Sequence, residues 1–281
     1  MSAASQVEPV IVFEDVHIGF EEGEVLRGIS FRVSPRETKV LLGETGAGKT
    51  LTLKLAAGLL PPDAGRIVVL GRDIGALSEV ELLDFRHQVG FVFQEGALFD
   101  SLSVAENVAY RLREEGVDDE ETEERVREAL CFVEMEDAIE KVPAELSGGM
   151  RRRVSIARAL VSRPPIVLYD SPTAGLDPVT SQTIITLLLR LRDTQGVTAL
   201  LATHRLQDAF ALANFRFDAR ANRVVRVAPD GQPASRGAAW APEALAPATT
   251  FLVLRDGQVY FEGDQRAILE SRDPYLARFL A

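Results

Sequence analysis

The sequence predicts an α/β fold with a mainly parallel β-sheet at its centre. Apolar segments of strand-like composition alternate with helical segments along most of the 281 residues, as in folds that pack helices against a parallel sheet. One predicted strand runs directly into a glycine-rich loop, residues 43–50, which opens a helix. Another, residues 166–169, ends in Asp170, the pattern of a buried strand that delivers an acid to a metal.

Strand propensity and flanking turn residues define the strands of this fold. They are predicted at residues 10–18, 28–33, 38–42, 65–71, 89–93, 165–170 and 197–203, with a closing strand segment at 251–264. We expect the first of them to contribute an antiparallel β subdomain beside the parallel core.

Helices are predicted at residues 49–57, 181–192, 205–213, 265–271 and 274–280. Two more begin at capping boxes, in which a serine is followed three residues later by a glutamate: Ser78 with Glu81, and Ser103 with Glu106. The second opens a largely helical region that extends to about Ile139. It interrupts the strand and helix alternation, so we expect an inserted α-helical subdomain.

Composition excludes several classes of protein. With 46% hydrophobic and 26% charged residues, the chain is expected to form one globular domain. A net charge of -11 argues against a general affinity for nucleic acid or anionic lipid. The start lacks the pattern of a signal peptide, and no apolar run approaches the roughly 18 residues of a membrane span. Cys131, the single cysteine, is expected in a reducing cytoplasm as a small core residue.

The glycine-rich loop satisfies the phosphate-loop pattern G-x-x-x-x-G-K-[ST]. Its glycines let the backbone wrap around phosphate oxygens, and its N–H groups and the helix start supply positive potential. Lys49 is expected to reach the β- and γ-phosphates, while Thr50 and Asp170 are expected to hold Mg²⁺. The predicted ATP-binding residues here are Gly43, Glu44, Thr45, Gly46, Ala47, Gly48, Lys49, Thr50 and Leu51. The competing interpretation is a glycine-rich turn with a chance lysine.

A second motif narrows the function, because many unrelated nucleotidases share a phosphate loop and an acidic strand end. Residues 146–149, Leu-Ser-Gly-Gly, lie just before a helix and upstream of Asp170. They resemble the signature of ATP-binding cassette (ABC) proteins. The resemblance implies that Ser147, Gly148 and Gly149 face a γ-phosphate held by another subunit, so a complete site needs two chains. By itself, the same stretch is also compatible with a turn that caps a helix.

The resemblance to ABC nucleotide-binding domains covers nearly the whole chain and implies roles for four further residues. It assigns adenine stacking to Phe20, sensing of Mg²⁺ and water to Gln94, the loop between the two sites to Asp177, and contact with the γ-phosphate to His204. Gln94 is therefore counted both as catalytic and as a metal ligand. Taken singly, Phe20 is compatible with simple packing, and His204 with a strand-end histidine bonded to backbone.

Ser171 departs from the family pattern, which usually places a glutamate at this position to handle the attacking water. A serine hydroxyl orients water but does not act as a base near pH 7. Losing a positioned base costs about 10²- to 10⁴-fold in rate and leaves phosphate binding intact. We therefore expect an ATPase that is slow in isolation, with Ser171, Gln94 and His204 at its catalytic centre. The alternative is an ATP-gated dimerisation subunit with little hydrolysis.

Residues 93–110, together with Met150 after the signature, are similar to ATPase subunits of the Mla and Mce-associated lipid-transport systems. That similarity implies phospholipid transport, transmembrane permease subunits, a second ATP-binding subunit that favours a homodimer, and a lipid-binding substrate protein. It also implies a cytoplasmic location on the inner face of the membrane, without nucleic acid. Residues 96–102 are expected to face the permease. The alternative is that Leu98, Phe99 and Leu102 only pack the helical subdomain onto the core.

The expected organisation is a single ABC domain over residues 1–281. Within it, the helical subdomain spans about 95–160, and a C-terminal extension of short helices spans about 264–281, packed on the domain or on a second copy. An insertion at about 215–250 departs from the family pattern. Its first part, with "RVVRV" and "PDG", is predicted as a β-hairpin, and its remainder, with Trp240, as an exposed loop.

Overall fold

The computed structural model describes residues 8–227 and 248–280. Twelve strands lie within these ranges: β1 (Ile11–Phe20), β2 (Gly23–Val33), β3 (Thr38–Gly43), β4 (Ala64–Val69), β5 (Arg72–Asp73), β6 (Val89–Val92), β7 (Ile166–Asp170), β8 (Thr198–Ala202), β9 (Phe215–Asp218), β10 (Arg223–Arg226), β11 (Thr249–Arg255) and β12 (Gln258–Asp264).

The described ranges also contain nine α-helices. These are α1 (Lys49–Ala56), α2 (Glu79–Arg86), α3 (Val104–Glu114), α4 (Asp119–Phe132), α5 (Gly148–Leu160), α6 (Pro178–Gln195), α7 (Leu206–Asn214), α8 (Gln265–Leu269) and α9 (Pro274–Leu280). Both predicted capping boxes are present, at Ser78 and at Ser103. No helix in the described part is long and apolar enough to cross a membrane.

A six-stranded sheet in the order β12-β11-β3-β8-β7-β6 forms the core. All neighbours in it are parallel except β11 and β12. Leu41 on β3 and Asp170 on β7 both lie level with Ala202 on β8. The loops that follow these strands therefore leave the sheet at one edge.

Hydrophobic clusters cover both faces of the core sheet, because successive side chains on a strand point to opposite sides. Val40 and Leu42 belong to the cluster that includes the helical region, whereas Leu41 belongs to the cluster beneath the second sheet. This explains why the strands are continuous apolar runs instead of alternating ones.

The second sheet is antiparallel, with strand order β2-β1-β4-β5, and the helices α3, α4 and α5 pack against one another beside the core. The predicted α/β fold, with its mainly parallel sheet, antiparallel subdomain and inserted helical subdomain, is confirmed. One strand was underestimated: β2 begins at Gly23 rather than at Gly28, because it pairs with β1 up to the turn at Phe20.

A β-hairpin follows α7, and residues 223–226 of the predicted "RVVRV" segment form its second strand. β9 and β10 pair antiparallel, with Asp218 opposite Arg223, so the chain turns at residues 219–222. Asn222 adopts a left-handed conformation there, with φ 47°, which asparagine tolerates well. The "PDG" segment and Trp240 lie outside the described residues.

The structure decides two further expectations, one about the burial of Cys131 and one about the packing of the C-terminal helices. Cys131 is exposed, so its assignment to the core was wrong. The buried side of α4 carries Val126 and Leu130, and the next residue points about 100° away from that side. The C-terminal helices pack on the domain itself through buried Ile268 and Leu276.

Candidate nucleotide-binding site

The phosphate loop joins β3 to α1 through three glycines with positive φ: 148° at Gly43, 84° at Gly46 and 94° at Gly48. A Cβ at Gly43 would lie 2.4 Å from the carbonyl oxygen of Leu254, and one at Gly48 would lie 2.3 Å from Leu26 Cδ2. Both positions therefore require glycine for space as well as for backbone conformation. The bare backbone of this loop can approach phosphate oxygens closely.

Lys49 curls back over the phosphate loop. Its Nζ donates to the carbonyl oxygens of Gly43, at 2.8 Å, and Glu44, at 2.7 Å. Burial lowers the pKa of the Lys49 ammonium, and the charge of nearby Asp170 opposes this shift. The cation is thus held at the loop, where it can reach a phosphate by exchanging its carbonyl partners.

Thr50 and Asp170 meet at the start of α1 and the end of β7. Thr50 Oγ1 donates to Asp170 Oδ1 at 3.0 Å, although the two residues are 120 positions apart. A hydroxyl and a carboxylate are hard oxygen ligands that suit Mg²⁺, which usually keeps several waters and binds substrate phosphates. Within the described residues, no group of three or more His, Cys, Asp or Glu side chains forms a metal site. The pair thus fits a magnesium ion shared with phosphates.

Ser171 lies beside this pair in a strained backbone conformation. Its φ is 48°, a left-handed value that costs a non-glycine residue about 1–2 kcal/mol. The residue is buried, its N–H donates to Ala202 O at 2.8 Å, and its hydroxyl donates to Asp170 Oδ1 at 3.4 Å. The side chain therefore reaches the proposed metal ligand, and it supplies no carboxylate.

Gln94 and His204 reach the same edge of the sheet. Gln94 follows β6 by two residues and His204 follows β8 by two, and both strands flank β7 in parallel. Both residues are exposed. No hydrogen bond among the described residues joins either side chain to Asp170 or Ser171, so their catalytic roles stay predictions.

The signature begins α5. Ser147 is the N-cap, and its Oγ accepts from the N–H of Met150 at 3.2 Å. A Cβ at Gly149 would lie 2.4 Å from Thr180 Cγ2, so α5 packs against α6 too closely for any side chain there. Within the described part of the chain, no hydrogen bond connects residues 147–149 to the phosphate loop.

Asp177 and Phe20 occupy distinct settings. Asp177 caps α6 by accepting from the N–H groups of Val179 and Thr180, both at 3.0 Å. The hydroxyl and backbone of Thr180 lower the pKa of this carboxyl. Phe20 ends β1 at a hairpin turn and is 58% exposed, so simple core packing does not explain it. The assigned roles of both residues stay predictions.

Arg152 is a residue of this region that sequence reasoning missed. Residues 151–153 form a run of three arginines in the sequence. Arg152 is nevertheless buried, and its Nη1 donates to Phe93 O at 2.7 Å. Burial lowers the pKa of its guanidinium, and the charges of Asp170 and Glu95 oppose this shift. Arg152 thus ties the signature helix to the segment of Gln94. Helical spacing could have revealed this burial. Arg152 lies three residues after Gly149 and four before Ile156, so it shares one face of α5 with these two buried residues.

A second missed contact joins the loop after Ser171 to the helix after His204. The hydroxyl of Thr173 donates to the carboxylate of Asp208, and both residues are buried. Arg205 Nη1 donates to Thr173 O at 3.2 Å and to Ser181 Oγ at 2.8 Å. Burial raises the pKa of Asp208, and the hydroxyl of Thr173 opposes this shift.

An aromatic groove lies beside the segment predicted to face the permease. It has a volume of about 450 Å³ and is lined in part by Phe91, Phe93, Phe99 and Tyr110. Phe99 and Tyr110 are each 42% exposed, with ring centroids 4.6 Å apart. Leu98, in contrast, packs against the hydrophobic core. Core packing therefore accounts for the apolar side chain at Leu98, whereas the exposed ring of Phe99 is available to contact a partner.

Comparison with known proteins agrees with this geometry. The family model described as "ABC transporter" matches residues 26–174. The methionine import ATP-binding protein MetN of Rhizobium johnstonii is 38% identical over 224 residues, which are 80% of this chain and 62% of that protein. MetN 1 of Rhodococcus jostii is 39% identical over 211 residues, or 75% and 62% of the two chains. The chain thus spans about three fifths of the length of these curated relatives.

Solved structures share the fold over most of this chain. The ATP-binding cassette MJ0796, in a dimeric post-hydrolysis state bound to ADP and Pi, superposes with a TM-score of 0.73 at 27% identity, covering 90% of this chain and 98% of that one. The protein cbiO1 from Clostridium perfringens, part of the ABC transporter complex cbiONQ, has a TM-score of 0.74 at 24% identity, covering 97% and 99%. This second likeness bears on the fold alone.

The comparisons do not support the lipid-transport branch that residues 93–110 and Met150 suggested, since these curated relatives are methionine import proteins. The range matched by the family model contains the phosphate loop, the strand that ends in Asp170 and the signature segment. The chain belongs to the ABC transporter family.

Proposed function

We propose that this chain is the ATP-binding subunit of an ABC transporter and that it binds MgATP at the edge formed by residues 43–51 and Asp170. The contact between Thr50 Oγ1 and Asp170 Oδ1 carries the proposal. It brings together the two ligands expected for Mg²⁺, beside a lysine already held over the phosphate loop. ATP and Mg²⁺ fit the chemistry of these donors.

The activity we propose is ATP hydrolysis, in which the chain binds ATP tightly and hydrolyses it slowly. Mg²⁺ would supply charge neutralisation on the phosphates, and Lys49 would add to it. Ser171 and Gln94 would orient the attacking water, and His204 would contact the γ-phosphate. The glutamate that the family resemblance leads us to expect at position 171 is replaced by a serine, which favours slow hydrolysis. The same observation supports the alternative, an ATP-gated dimerisation subunit with little turnover.

A second ATP-binding subunit would complete each site. Ser147 and Gly148 are exposed at the start of α5 and form no hydrogen bond with the phosphate loop of their own chain, as far as the described residues extend. They are thus free to meet a γ-phosphate held by a partner. The dimeric state of the cassette MJ0796 supports this arrangement, and we propose a homodimer.

The aromatic groove is the surface we propose for the transmembrane permease. Arg158 of α5 donates to the carbonyl oxygens of Ala97, at 2.7 Å, and Gly96, at 3.0 Å. These bonds fix the segment that ends at Phe99. Exposed aromatic rings beside a fixed loop are typical anchors for a partner. Through such a permease the subunit would lie at the cytoplasmic face of the membrane.

For the cargo, we propose methionine or a related amino acid, taken up by import. The support is the similarity to methionine import ATP-binding proteins at 38% and 39% identity. A phospholipid cargo, with a lipid-binding substrate protein, rests only on residues 93–110 and Met150. The proteins that copurify with this chain would distinguish between these two cargoes.

One experiment tests the nucleotide site directly. Calorimetry should show tight binding of MgATP to the purified chain, and Thr50→Val should weaken it about tenfold or more while binding of ATP in EDTA changes little. Thr183→Val is the matched control, because the Thr183 hydroxyl bonds only within α6. Equal MgATP affinity for Thr50→Val and wild type would exclude Thr50 as a metal ligand.

A second experiment tests the transporter assignment. The tagged chain, purified from native membranes in mild detergent, should bring down a permease and a solute-binding protein. ATPase activity of that complex, stimulated by methionine or by phospholipid, then identifies the cargo. Recovery of ribosomes or DNA without a permease would overturn the assignment.

A further inference from the structure

A cavity of about 730 Å³ lies at the edge of the core sheet opposite the nucleotide site. Arg36 precedes β3, Pro165 precedes β7 and Thr198 begins β8, and all three line it. The nucleotide residue Asp170 ends β7, four residues beyond its start. At about 3.3 Å per residue, the two edges are roughly 13–16 Å apart. The cavity is thus separate from the site described above.

Three parts of the fold contribute apolar walls. Val10 and Leu70 come from the antiparallel subdomain, Ala129 and Phe132 from α4, and Leu160 from the end of α5. All five are half-buried. A volume of this size lies in the range of about 300–1,000 Å³ that is typical of small-molecule sites.

The charges at the cavity do not cancel. Arg125 pairs with Glu121 four residues earlier on α4, and Arg163 pairs with Glu128 at 2.7 Å. Arg36, in contrast, forms no ion pair with any residue in 8–227 or 248–280. One guanidinium is therefore available for a ligand.

Arg36 is anchored at the cavity wall through its backbone, and its exposed side chain has no ion-pair partner among the described residues. Its backbone N–H donates to Thr198 Oγ1 at 2.9 Å. Its Nε lies 3.0 Å from where a Cβ on Gly196 would be, so the side chain runs across the bare backbone of that glycine at the cavity wall. The neighbouring carboxylate of Glu37 does not compete for it, because Glu37 is buried with Lys39 at 3.2 Å.

Backbone strain is concentrated at this cavity. Among the described residues, nine non-glycine positions have positive φ, and three of them line it: Arg36 at 64°, Leu70 at 51° and Arg163 at 51°. Such conformations cost about 1 kcal/mol or more each, and they cluster at ligand sites because the fold must hold them in place.

We infer that this cavity binds a small monocarboxylate with an apolar body. Apolar walls favour the body, and the planar guanidinium of Arg36 matches a carboxylate with two parallel hydrogen bonds. A polyanion such as a nucleotide fits poorly, because Glu121 and Glu128 already neutralise the other two arginines. The inference is independent of ATP binding, since no residue of the nucleotide site lines the cavity.

Octanoate is the probe for this site, because its single charge and short chain allow titration without micelles. Calorimetry on the full chain should show one octanoate per chain, weakened by raising the salt concentration. Octyltrimethylammonium, with the same chain and the opposite charge, should not bind measurably. Equal binding of the two probes would overturn the inference.

Two variants locate the site. Arg36→Gln should weaken octanoate binding about tenfold or more, whereas Arg220→Gln, an exposed arginine on the β9–β10 turn, should leave it unchanged. Ala129→Trp should weaken binding by occupying part of the cavity at its apolar wall. Because that variant can disturb α4, Arg36→Gln, at an exposed position, carries the test independently. Octanoate affinity that is unchanged in Arg36→Gln would overturn the proposal.

Discussion

Ser171 stands where the resemblance to ABC nucleotide-binding domains leads us to expect a glutamate. Its hydroxyl faces Asp170 Oδ1 at 3.4 Å, and its backbone is held by Ala202 at 2.8 Å. The side chain at position 171 therefore lies next to the proposed metal ligand and outside the phosphate loop. Chemistry and binding are therefore separable here by substitution.

We predict that Ser171→Glu increases the rate of single-turnover hydrolysis about tenfold or more and leaves MgATP affinity nearly unchanged, because it adds a base without altering the phosphate loop. Ser171→Ala, which removes the orienting hydroxyl, is the matched control and should be no faster than wild type. Rapid-quench measurements with the permease present would test this. A wild type that is already fast and is slowed by the glutamate would show that another residue serves as base.

Substitution of Lys49, in contrast, is expected to reduce the affinity for MgATP. Lys49→Ala removes the ammonium that is held at the loop by Gly43 and Glu44, so MgATP affinity should fall about a hundredfold or more. Lys54→Ala, in the last turn of the same helix, should bind normally. If calorimetry gave Lys49→Ala the wild-type affinity, the assignment of residues 43–50 as a phosphate loop would be wrong.

At the scale of elements, α5 links two functions through one residue. Ser147 caps the helix and is also the proposed contact for a partner's γ-phosphate. Ser147→Arg should leave ATP binding by the monomer intact and prevent ATP-dependent dimerisation, because the bulky cation would occupy the phosphate position. Ser147→Ala separates the effects: it removes the cap, at a cost of about 1 kcal/mol in stability, without blocking the site. Light scattering with ATP that still showed dimers of Ser147→Arg would refute the signature role.

The loop before α3 depends on one buried side chain. Asn107 accepts from Phe99 N at 2.8 Å and donates to the carbonyl oxygens of Phe99, Leu102 and Ser103 at 3.0–3.1 Å. Asn107→Leu should reduce the free energy of unfolding by about 2–4 kcal/mol, because these backbone groups lose their partner. Gln207→Leu, at an exposed site on α7, should change it by less than about 0.5 kcal/mol. Urea denaturation measures both, and a similar small change in the two variants would contradict the prediction.

At the scale of the whole molecule, Arg192 joins the core to the β9–β10 hairpin. It is buried on α6, pairs with Asp193, and donates to the carbonyl oxygens of Leu212 and Phe215. Asp193 in turn accepts from Phe217 N at 2.7 Å. The β9–β10 hairpin is therefore anchored by a buried charge network and not by apolar packing alone.

Arg192→Met should lower the free energy of unfolding by about 3–5 kcal/mol, because it leaves Asp193 with a weaker set of partners in a buried setting. Arg190→Met, two residues earlier and half-buried against Phe132, should cost much less and serves as the control. Denaturation followed by circular dichroism would test it. Equal stability of the two variants would mean that the network contributes little.

How much could be predicted from sequence differs between these scales. Strands and helices were predictable because local patterns, such as the capping boxes at Ser78 and Ser103, fix them independently of distant residues. The hairpin turn at residues 219–222 was not predicted, because the pairing of Asp218 with Arg223 is decided between strands and the local turn signal "PDG" lies further along the chain. Cys131 was misassigned because one residue of helix phase separates it from buried Leu130.

The sequence by itself determined the fold class, the phosphate loop, the acid at the end of β7 and the signature, because each is a contiguous pattern whose chemistry is local. Only the tertiary structure decided what depends on parallel register and on packing between distant segments. It brought Thr50 within 3.0 Å of Asp170, buried Arg152 against the backbone of Phe93, and left Arg36 unpaired, among the described residues, over a cavity at the opposite edge. These contacts join residues far apart in the chain, and their distances follow from strand order, which no local pattern encodes.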